Sequence, residues 1–430
     1  MTTPKLNVLI VGGGIAGPAF AYWLHRATPC TITILERFPA PRTSGQAVDI
    51  RGVSVDIVRK MGILPTIKSL NTSESGMQVI DVSGAVKASF PVSGDDKNQG
   101  PTSEYEIMRG DLARILLDIS KDHAQYVYDE SVKTIEESDN GKVHVEFTNA
   151  HLPPSDYDLV VAADGMLSRT RRAVFGRGPN NKDYLHHLGE YLAYFTIPSI
   201  PSDDSWSQWL SFGRGLLAFK RPDRDNNARI FLGVADKPTA ERFKAFETAV
   251  HEGRDAQEAL LRKEFAGAGW QMERFLGEMS KSDDFYFQIV AQTKIEHFTK
   301  GRIALLGDAG YCPSPISGMG TAAAITGAYV LAGEISKNPE DIKEALASYE
   351  RVLRPFVDEV QWLIPGAPQL AVPQSDWAVK IFNTVMGLAS SKPVQRLMGY
   401  VLPAAGKRGW QLPVYEKFEE SPGIGDDEKV

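Results

Sequence analysis

Cysteine is nearly absent from this chain: two in 430 residues, Cys30 and Cys312, far apart in sequence. Two isolated thiols build no disulfide framework and fit a reducing compartment. Histidine is scarce as well, eight in all, and no His/Cys spacing of the zinc-binding kind occurs, so no metal ligands are assigned. A basic excess is also missing. Lys and Arg number 47 against 54 Asp and Glu, a net charge of −7, which argues against nucleic acid as the main partner. No uncharged apolar run approaches the length of a membrane span, and Met1 to Lys5 is too short for the charged and apolar parts of a signal peptide. There is no internal repeat and no Ser-His-Asp constellation. The expectation is a cytoplasmic monomer or homodimer of two or three domains, with an ordinary hydrophobic fraction of 43%.

What is present begins at the N-terminus. Leu6 to Val11 is a short apolar run, followed by Gly12-Gly13-Gly14-Ile15-Ala16-Gly17 and a helical segment through about Ala27. The β-branched run Thr31 to Leu35 then ends in Glu36-Arg37. A G-x-G-x-x-G between strand and helix, with an acid closing the next strand, is a dinucleotide-binding βαβ unit. Gly12 makes the tight turn, Gly14 lets backbone approach a pyrophosphate, Gly17 lets helix pack on strand, and Glu36 takes ribose hydroxyls. A second stretch, Gly301 to Gly333, reads as a strand (Ile303 to Leu306), a Gly-Asp turn, a proline-bearing loop and a Gly-rich entry into a long helix. Gly318 and Gly320 admit a ligand close to the backbone, and the first turn of a helix starting near Met319 favours an anion. Asp308 is placed to accept hydrogen bonds from a polyol.

Between these stretches, Phe38 to Arg51 carries turn formers ahead of a helical pattern at Val53 to Met61. Residues 77 to 92 read as two strands around Gly84, and 94 to 100 as a polar tip. Arg109-Gly110-Asp111 opens a helix with Leu112, Ile115 and Leu116 inward, for which Asp111 is the expected cap. Tyr126 to Ile135 and Val143 to Phe147 alternate as strands around an Asn140-Gly141 hairpin turn. Tyr157 to Ala163 is a buried strand ending in Asp164-Gly165, with Ser168 and Arg171 at a helix start. Strand-like runs at Tyr191 to Ile197, Leu216 to Lys220 and Arg229 to Val234 carry aromatics, and alternation sets Tyr191 and Phe195 on one face, Tyr194 on the other. Ile342 to Leu363 reads as a helix interrupted at Pro355. Ser375 is the expected cap of a last helix whose Trp377, Ile381, Phe382, Val385 and Leu388 suit core packing, or alternatively a membrane surface or a bound substrate.

GGGIAG at 12–17 with Glu36-Arg37, Arg109 before a Leu-rich helix, ADGMLSRTR at 163–171 and GDAGYCPSPISGMG at 307–320 stand in the order found in the single-component (group A) FAD-dependent aromatic hydroxylases, which the chain resembles almost end to end. SGQAVDIRG at 44–52 and SDDFYF at 282–287 look, more narrowly, like the tetracycline-inactivating flavin monooxygenases. The resemblance implies an α/β fold: a Rossmann-like, glutathione-reductase-like FAD-binding domain at 1–75, 104–175 and 285–364, and an interleaved β-sheet substrate domain at 76–103 and 176–284. A covering helix would occupy 365–415 and an acidic tail 416–430. NADPH or NADH would reduce bound FAD, O2 would add at flavin C4a, and the distal oxygen of the hydroperoxide would pass to an aromatic or polyketide ring, with no protein nucleophile.

The resemblance also implies roles residue by residue. Gly12, Gly14, Ile15, Ala16 and Gly17 would surround the pyrophosphate, and Glu36 with Arg37 the adenosine ribose. Arg109 would lie beside the flavin and its phosphates, Asp164 and Gly165 near the cofactor, and Asp308 on the ribityl chain. Pro315, Gly318, Met319, Gly320 and Thr321 would line the isoalloxazine, with Gln46 beside it. Arg51, Tyr191, Tyr194, Phe195, Phe219 and Trp377 are the expected substrate contacts. Gly310-Tyr311 stands where Ala-His is usual, and Ala322 where many members have Asn. A flavin-binding redox sensor or aromatic-ligand binder without oxygenation is the alternative reading. The halogenase W-x-W-x-I-P signature is absent. A chain cut after Gln374 is expected to keep FAD and lose substrate dependence.

Overall fold

The computed structural model describes residues 5–42, 45–72, 74–92, 105–138, 140–178, 183–364, 366–391, 394 and 410–419. Ser44, the 94–100 tip and most of the acidic tail lie outside these residues. Uninterrupted apolar runs become strands buried on both faces, as a helix-covered parallel sheet requires. Its order is β17 (Thr299–Lys300), β18 (Ile303–Leu305), β11 (Leu159–Ala162), β1 (Leu6–Val11), β2 (Cys30–Glu36) and β7 (Gln125–Tyr128). All neighbours are parallel except β17 and β18. The carboxyl ends of β1, β2, β11 and β18 therefore share one edge, and there Gly12, Glu36, Asp164 and Asp308 follow. Ligands of open parallel sheets bind at such an edge.

On one face of this sheet α1 (Ala16–Ala27) packs beside α10 (Gly320–Lys337), with α11 (Ile342–Gln361) behind and α2 (Val53–Lys60), α3 (Leu64–Ser69) and α4 (Arg109–Ser120) around them. Asp111 lies inside the first turn of α4, preceded by Met108 at the cap, and pairs with Arg114 and Arg224 instead of capping. α11 runs unbroken through Pro355. Leu353, Phe356 and Val357 are buried around the proline, and their packing offsets a break worth about 3 kcal/mol. Tyr126 to Ile135 is two strands in two sheets. After β7 the chain turns at Asp129 (φ 52°) into β8 (Val132–Glu137), which joins β9 (Val143–Phe147) and β10 (Ser155–Tyr157) in a small antiparallel sheet. β3 (Ala47–Asp49) pairs with β6 (Glu106–Met108), and α5 (Arg169–Phe175) is capped by Ser168.

The second large sheet runs β16 (Tyr286–Thr293), β12 (Leu185–Pro198), β15 (Asn227–Ala235), β14 (Leu216–Pro222), β13 (Trp206–Gly213), β4 (Gly76–Ile80) and β5 (Val86–Pro91). Strand β16 belongs here, which moves the boundary expected at 284 to the end of that strand. α6 (Glu241–Glu252), α7 (Arg254–Glu264) and α8 (Met272–Met279) cover one face, and their aromatics form its core. Tyr191 stacks on Phe287 at 5.3 Å and meets Phe243 at 4.7 Å, while Phe195 is fully buried in the same cluster. Both were expected at the substrate. The structure corrects this, because the face they share is the helix-covered one.

After α12 (Ala367–Ala371), α13 (Asp376–Ala389) lies against β13, β4 and β5. Trp377, Ile381, Val385 and Leu388 point to solvent and only Phe382 is partly covered, so this face is not core. The chain then returns to the first domain. Trp410 Nε1 donates to Val352 O (2.9 Å), Tyr415 Oη to Glu334 (2.7 Å) and Lys417 Nζ to Ala27 O (2.6 Å). A Cβ on Gly333 would lie 2.2 Å from the Tyr415 ring, so this glycine seats the strap. Cutting after Gln374 thus removes Tyr415 and Phe418 from the core and does not leave the first domain intact. No helix among the described residues is long and apolar enough to cross a membrane.

Candidate active site

The first loop separates two jobs for glycine. A Cβ on Gly12 (φ 122°) would stand 2.3 Å from Ala163 O, and one on Gly17 would stand 2.1 Å from Gly12 O. Those two are demanded by the protein's own backbone. A Cβ on Gly14 would meet only Arg109 Nη2, at 3.8 Å, so Gly14 opens onto free space beside a guanidinium. Ile15 precedes α1, and the Ala16 methyl stands 3.2 Å from where Gly307 would carry a Cβ. Glu36 accepts from Gly13 N (3.1 Å) and Phe38 N (3.0 Å), which holds its carboxylate at the mouth of the loop.

Arg42, absent from the expected set, completes this corner. Its guanidinium and that of Arg37 each lie 5.0 Å from the Phe38 ring. Burial, then Arg109 and Arg37 nearby, lowers the Arg42 pKa. Such crowding of cations favours a bound anion. The sequence signal was an arginine in a turn-rich loop at the carboxyl edge of the sheet.

Across the edge, burial raises the Asp308 pKa while Arg109 opposes the rise. Asp308 Oδ1 lies 3.9 Å from where Gly320 would carry a Cβ, so the carboxyl points at the start of α10. The loop before it contains Ser314 at φ 80°, a single 3-10 turn at Pro315–Ser317 and Gly318 at φ 65°, whose Cβ position is open. Met319 N donates to Ser317 Oγ (3.1 Å) and is not a free donor. The first-turn N–H groups of Gly320, Thr321 and Ala322 have no acceptor within their own helix. Gln46 is buried with neither amide atom bonded among the described residues, while its backbone O accepts from Arg109 N at 3.0 Å.

Asp164 is used by the protein itself. Its carboxylate accepts from Ser168 Oγ, Thr170 N and Thr170 Oγ1, which fixes the start of α5. Gly165 beside it (φ 85°) leaves its Cβ position open. Arg171, fully buried, donates to Ala309 O (2.7 Å) and Met166 O (2.9 Å) and so ties this turn to the Gly307–Tyr311 turn. Tyr311, in place of the usual histidine, is a core residue of α9 (Asp308–Tyr311). Its hydroxyl bonds Tyr349 (3.0 Å) in a gap left by Gly327 of α10.

Above this edge stands the face of the second sheet opposite α6 to α8, part of which Ala371 and Val372 cover. Tyr194 stacks on Tyr286 at 4.6 Å and meets Phe231 at 4.8 Å, and Phe219 and Trp209 continue the row at 5.4 and 5.5 Å. Ile316 of the 3-10 turn packs against the cluster of Leu192, Tyr194 and Val290, which brings the loop and this wall together. Burial pushes the Tyr286 pKa up to about 12, with Arg109 and Arg42 opposing, so Tyr286 joins the arginine corner to the aromatic wall. Tyr286 was also missed, although it lies within the SDDFYF segment. Arg51 pairs with Asp49 at 3.3 Å. Trp377 is 68% exposed on the outer side of α13, so its expected substrate contact is corrected.

A buried amide at Gln46 with no partner among the described residues, three converging arginines and open Cβ positions at Gly14, Gly165 and Gly318 together fit a large anionic cofactor with a polar ring. The sequence profile of the FAD binding domain matches residues 5–361. The flavin-dependent monooxygenase eupH of a Phoma species is 37% identical over 96% of this chain and 98% of its own. The FAD-dependent monooxygenase asL4 of Sarocladium schorii is 34% identical over 96% and 99%. Among solved structures, the tetracycline destructase Tet(51) superposes with a TM-score of 0.75 at 30% identity, covering 96% of this chain and 100% of that one. Because fold, cofactor-shaped edge and relatedness agree along nearly the whole length, the chain belongs to the FAD-binding monooxygenase family and is an FAD-dependent monooxygenase that uses NAD(P)H and O2.

Proposed function

We propose that this monooxygenase hydroxylates a polycyclic phenol, of the size and character of a tetracycline or an aromatic polyketide, laid against the Tyr194–Tyr286–Phe231 wall. The observation that carries it is the wall itself: an aromatic row on the sheet face opposite α6 to α8, meeting the arginine corner at Tyr286 and the 3-10 loop at Ile316. Flat rings stack on such a surface with little entropy to lose. The relation to Tet(51) supports the same size class.

FAD, when bound, supplies hydride acceptance from the nicotinamide and the activation of O2. The residues of the chain hold it. Gly14 would admit the pyrophosphate to the backbone, Arg109 and Arg42 would face its charge, and Glu36 would take the adenosine ribose. Asp308 would take the ribityl hydroxyls, and Gln46 would bond the ring edge. The N–H groups of Gly320 and Thr321 would stabilise negative charge on the ring, worth about 1 kcal/mol or more where water is excluded. Asp164 acts one step removed, by setting α5 and the Gly165 turn.

The test is NADPH oxidation by the FAD-loaded protein with and without tetracycline and a panel of phenolic polyketides, with peroxide assayed in parallel. Fast oxidation, little peroxide and a product heavier by one oxygen support the proposal. Oxidation that ignores every phenol in the panel overturns it.

A further inference from the structure

Glu190 lies on the same face of β12 as Leu192 and Tyr194, opposite Ala235 on β15 and Val290 on β16. It is 3% exposed, and its carboxyl makes no hydrogen bond or ion pair among the described residues. Two features set it there. The β12–β16 register slips between His187 and Glu190, and Gly189 takes φ 80° at the slip, a bulge of the kind that re-aims a side chain beside an active site. Across the sheet, Gly233 lacks the Cβ that would stand 3.1 Å from Glu190 Oε1, which leaves room for the carboxyl.

No lysine or arginine among the described residues pairs with this group. Its titratable neighbours are Tyr194 and His187 of β12, Tyr286 of β16 and Asp236 after β15. Asp236 bonds its own neighbour, Lys237 N. β14 and β15 present Leu217, Gly233 and Ala235, and Gln369 of α12 donates to Leu188 O beside it. A buried carboxyl without a partner is costly, and its retention on the wall that faces Ile316 asks for a use.

We propose that Glu190 is the proton acceptor for a ring hydroxyl of the substrate, the recognition element for phenols and enols at this wall. The role rests on the hydroxylation reading above. The substrate O–H bond breaks and its proton passes to the Glu190 carboxylate. The freed electron pair on oxygen enriches the ring carbon that forms the new C–O bond. O2, reduced by the two electrons of NADPH, supplies that oxygen, and its other atom leaves as water. The ring then loses its C–H proton and the Glu190 proton returns to solvent or product. Burial pushes the Glu190 pKa up to about 8, close to working pH, where a general base serves best.

The test uses the FAD-loaded full chain, wild type and E190Q, with tetracycline, naphthol and the methyl ether of naphthol. Affinity is read from the flavin spectrum and turnover from NADPH loss and product mass, each across pH. In wild type the naphthol affinity breaks near the Glu190 pKa. In E190Q that break is gone, turnover of phenols falls roughly 100- to 10,000-fold, and FAD content is retained. The methyl ether, with no proton to give, behaves alike in both. An unchanged pH profile and rate in E190Q overturn the role alone. Where wild type puts oxygen into neither phenol, the affinity profiles still decide Glu190, while the hydroxylation reading fails for those compounds. An E190Q protein that loses FAD is replaced by E190D, which must keep a displaced pH break.

Discussion

Replacing Gly14 with valine separates what the cofactor needs from what the fold needs. The nearest protein atom to a Cβ at Gly14 is Arg109 Nη2 at 3.8 Å, and Gly14 is not among the positive-φ glycines. The Cβ therefore meets no protein obstacle, and the stability of the FAD-free protein should change by no more than about 1 kcal/mol. With FAD, the valine carbons occupy the space the pyrophosphate needs against the loop. A loss of at least about 100-fold in affinity, close to 3 kcal/mol, is expected. Gly17→Ala is the counterpart. Its Cβ would stand 2.1 Å from Gly12 O and 3.1 Å from Ile10 Cγ2, so helix and strand must part at a cost of roughly 1–3 kcal/mol or more. Thermal unfolding of both variants stripped of flavin, followed by FAD titration, gives the comparison. The expected pattern is a stable, colourless G14V and a destabilised G17A. A yellow, active G14V would refute the pyrophosphate assignment, and a G14V unfolded without FAD would refute the reading of its open surroundings.

Other outcomes follow from single contacts. The folded-state pKa of Glu190 lies near 8 against an ordinary 4.5, so the folded state binds its proton more tightly than the unfolded chain. Wild type should then lose stability relative to E190Q as pH rises through that window, by up to about 5 kcal/mol, with the difference small at pH about 5 and full at pH about 9 in melting curves. Tyr286→Leu removes the stacking partner of Tyr194 and should raise KM for a polycyclic phenol roughly 3- to 10-fold with little change in FAD content. An unchanged KM would exclude the wall as the binding surface. Tyr311→Phe deletes the buried hydroxyl pair with Tyr349 and should cost about 1 kcal/mol in denaturant unfolding while flavin content holds, since Tyr311 is a core residue here.

Much of this protein was legible residue by residue. Gly12 and Gly17, Glu36 at the end of β2, the Gly307-Asp308 turn and the helix from Gly320 each express a local requirement: a positive φ, a close backbone approach, a strand end, a first helical turn. Such requirements are met within a few positions, so the sequence carries them whole, and the order of the motifs carried the family. The tertiary structure decided what depends on a distant neighbour. Alternation along β12 divides Tyr191 and Phe195 from Tyr194, yet only α6 to α8 settle which face is core. Pro355 forbids one hydrogen bond, but the packing around it keeps α11 whole. Arg42 and Tyr286 gain meaning from Arg109, a partner on another segment, and the strap at 410–419 gains it from Gly333. Glu190 reads in sequence as an ordinary charge in a strand. Burial between its two neighbouring strands and the gap at Gly233 make it a reactive one, because desolvation is a property of the surroundings and not of the residue.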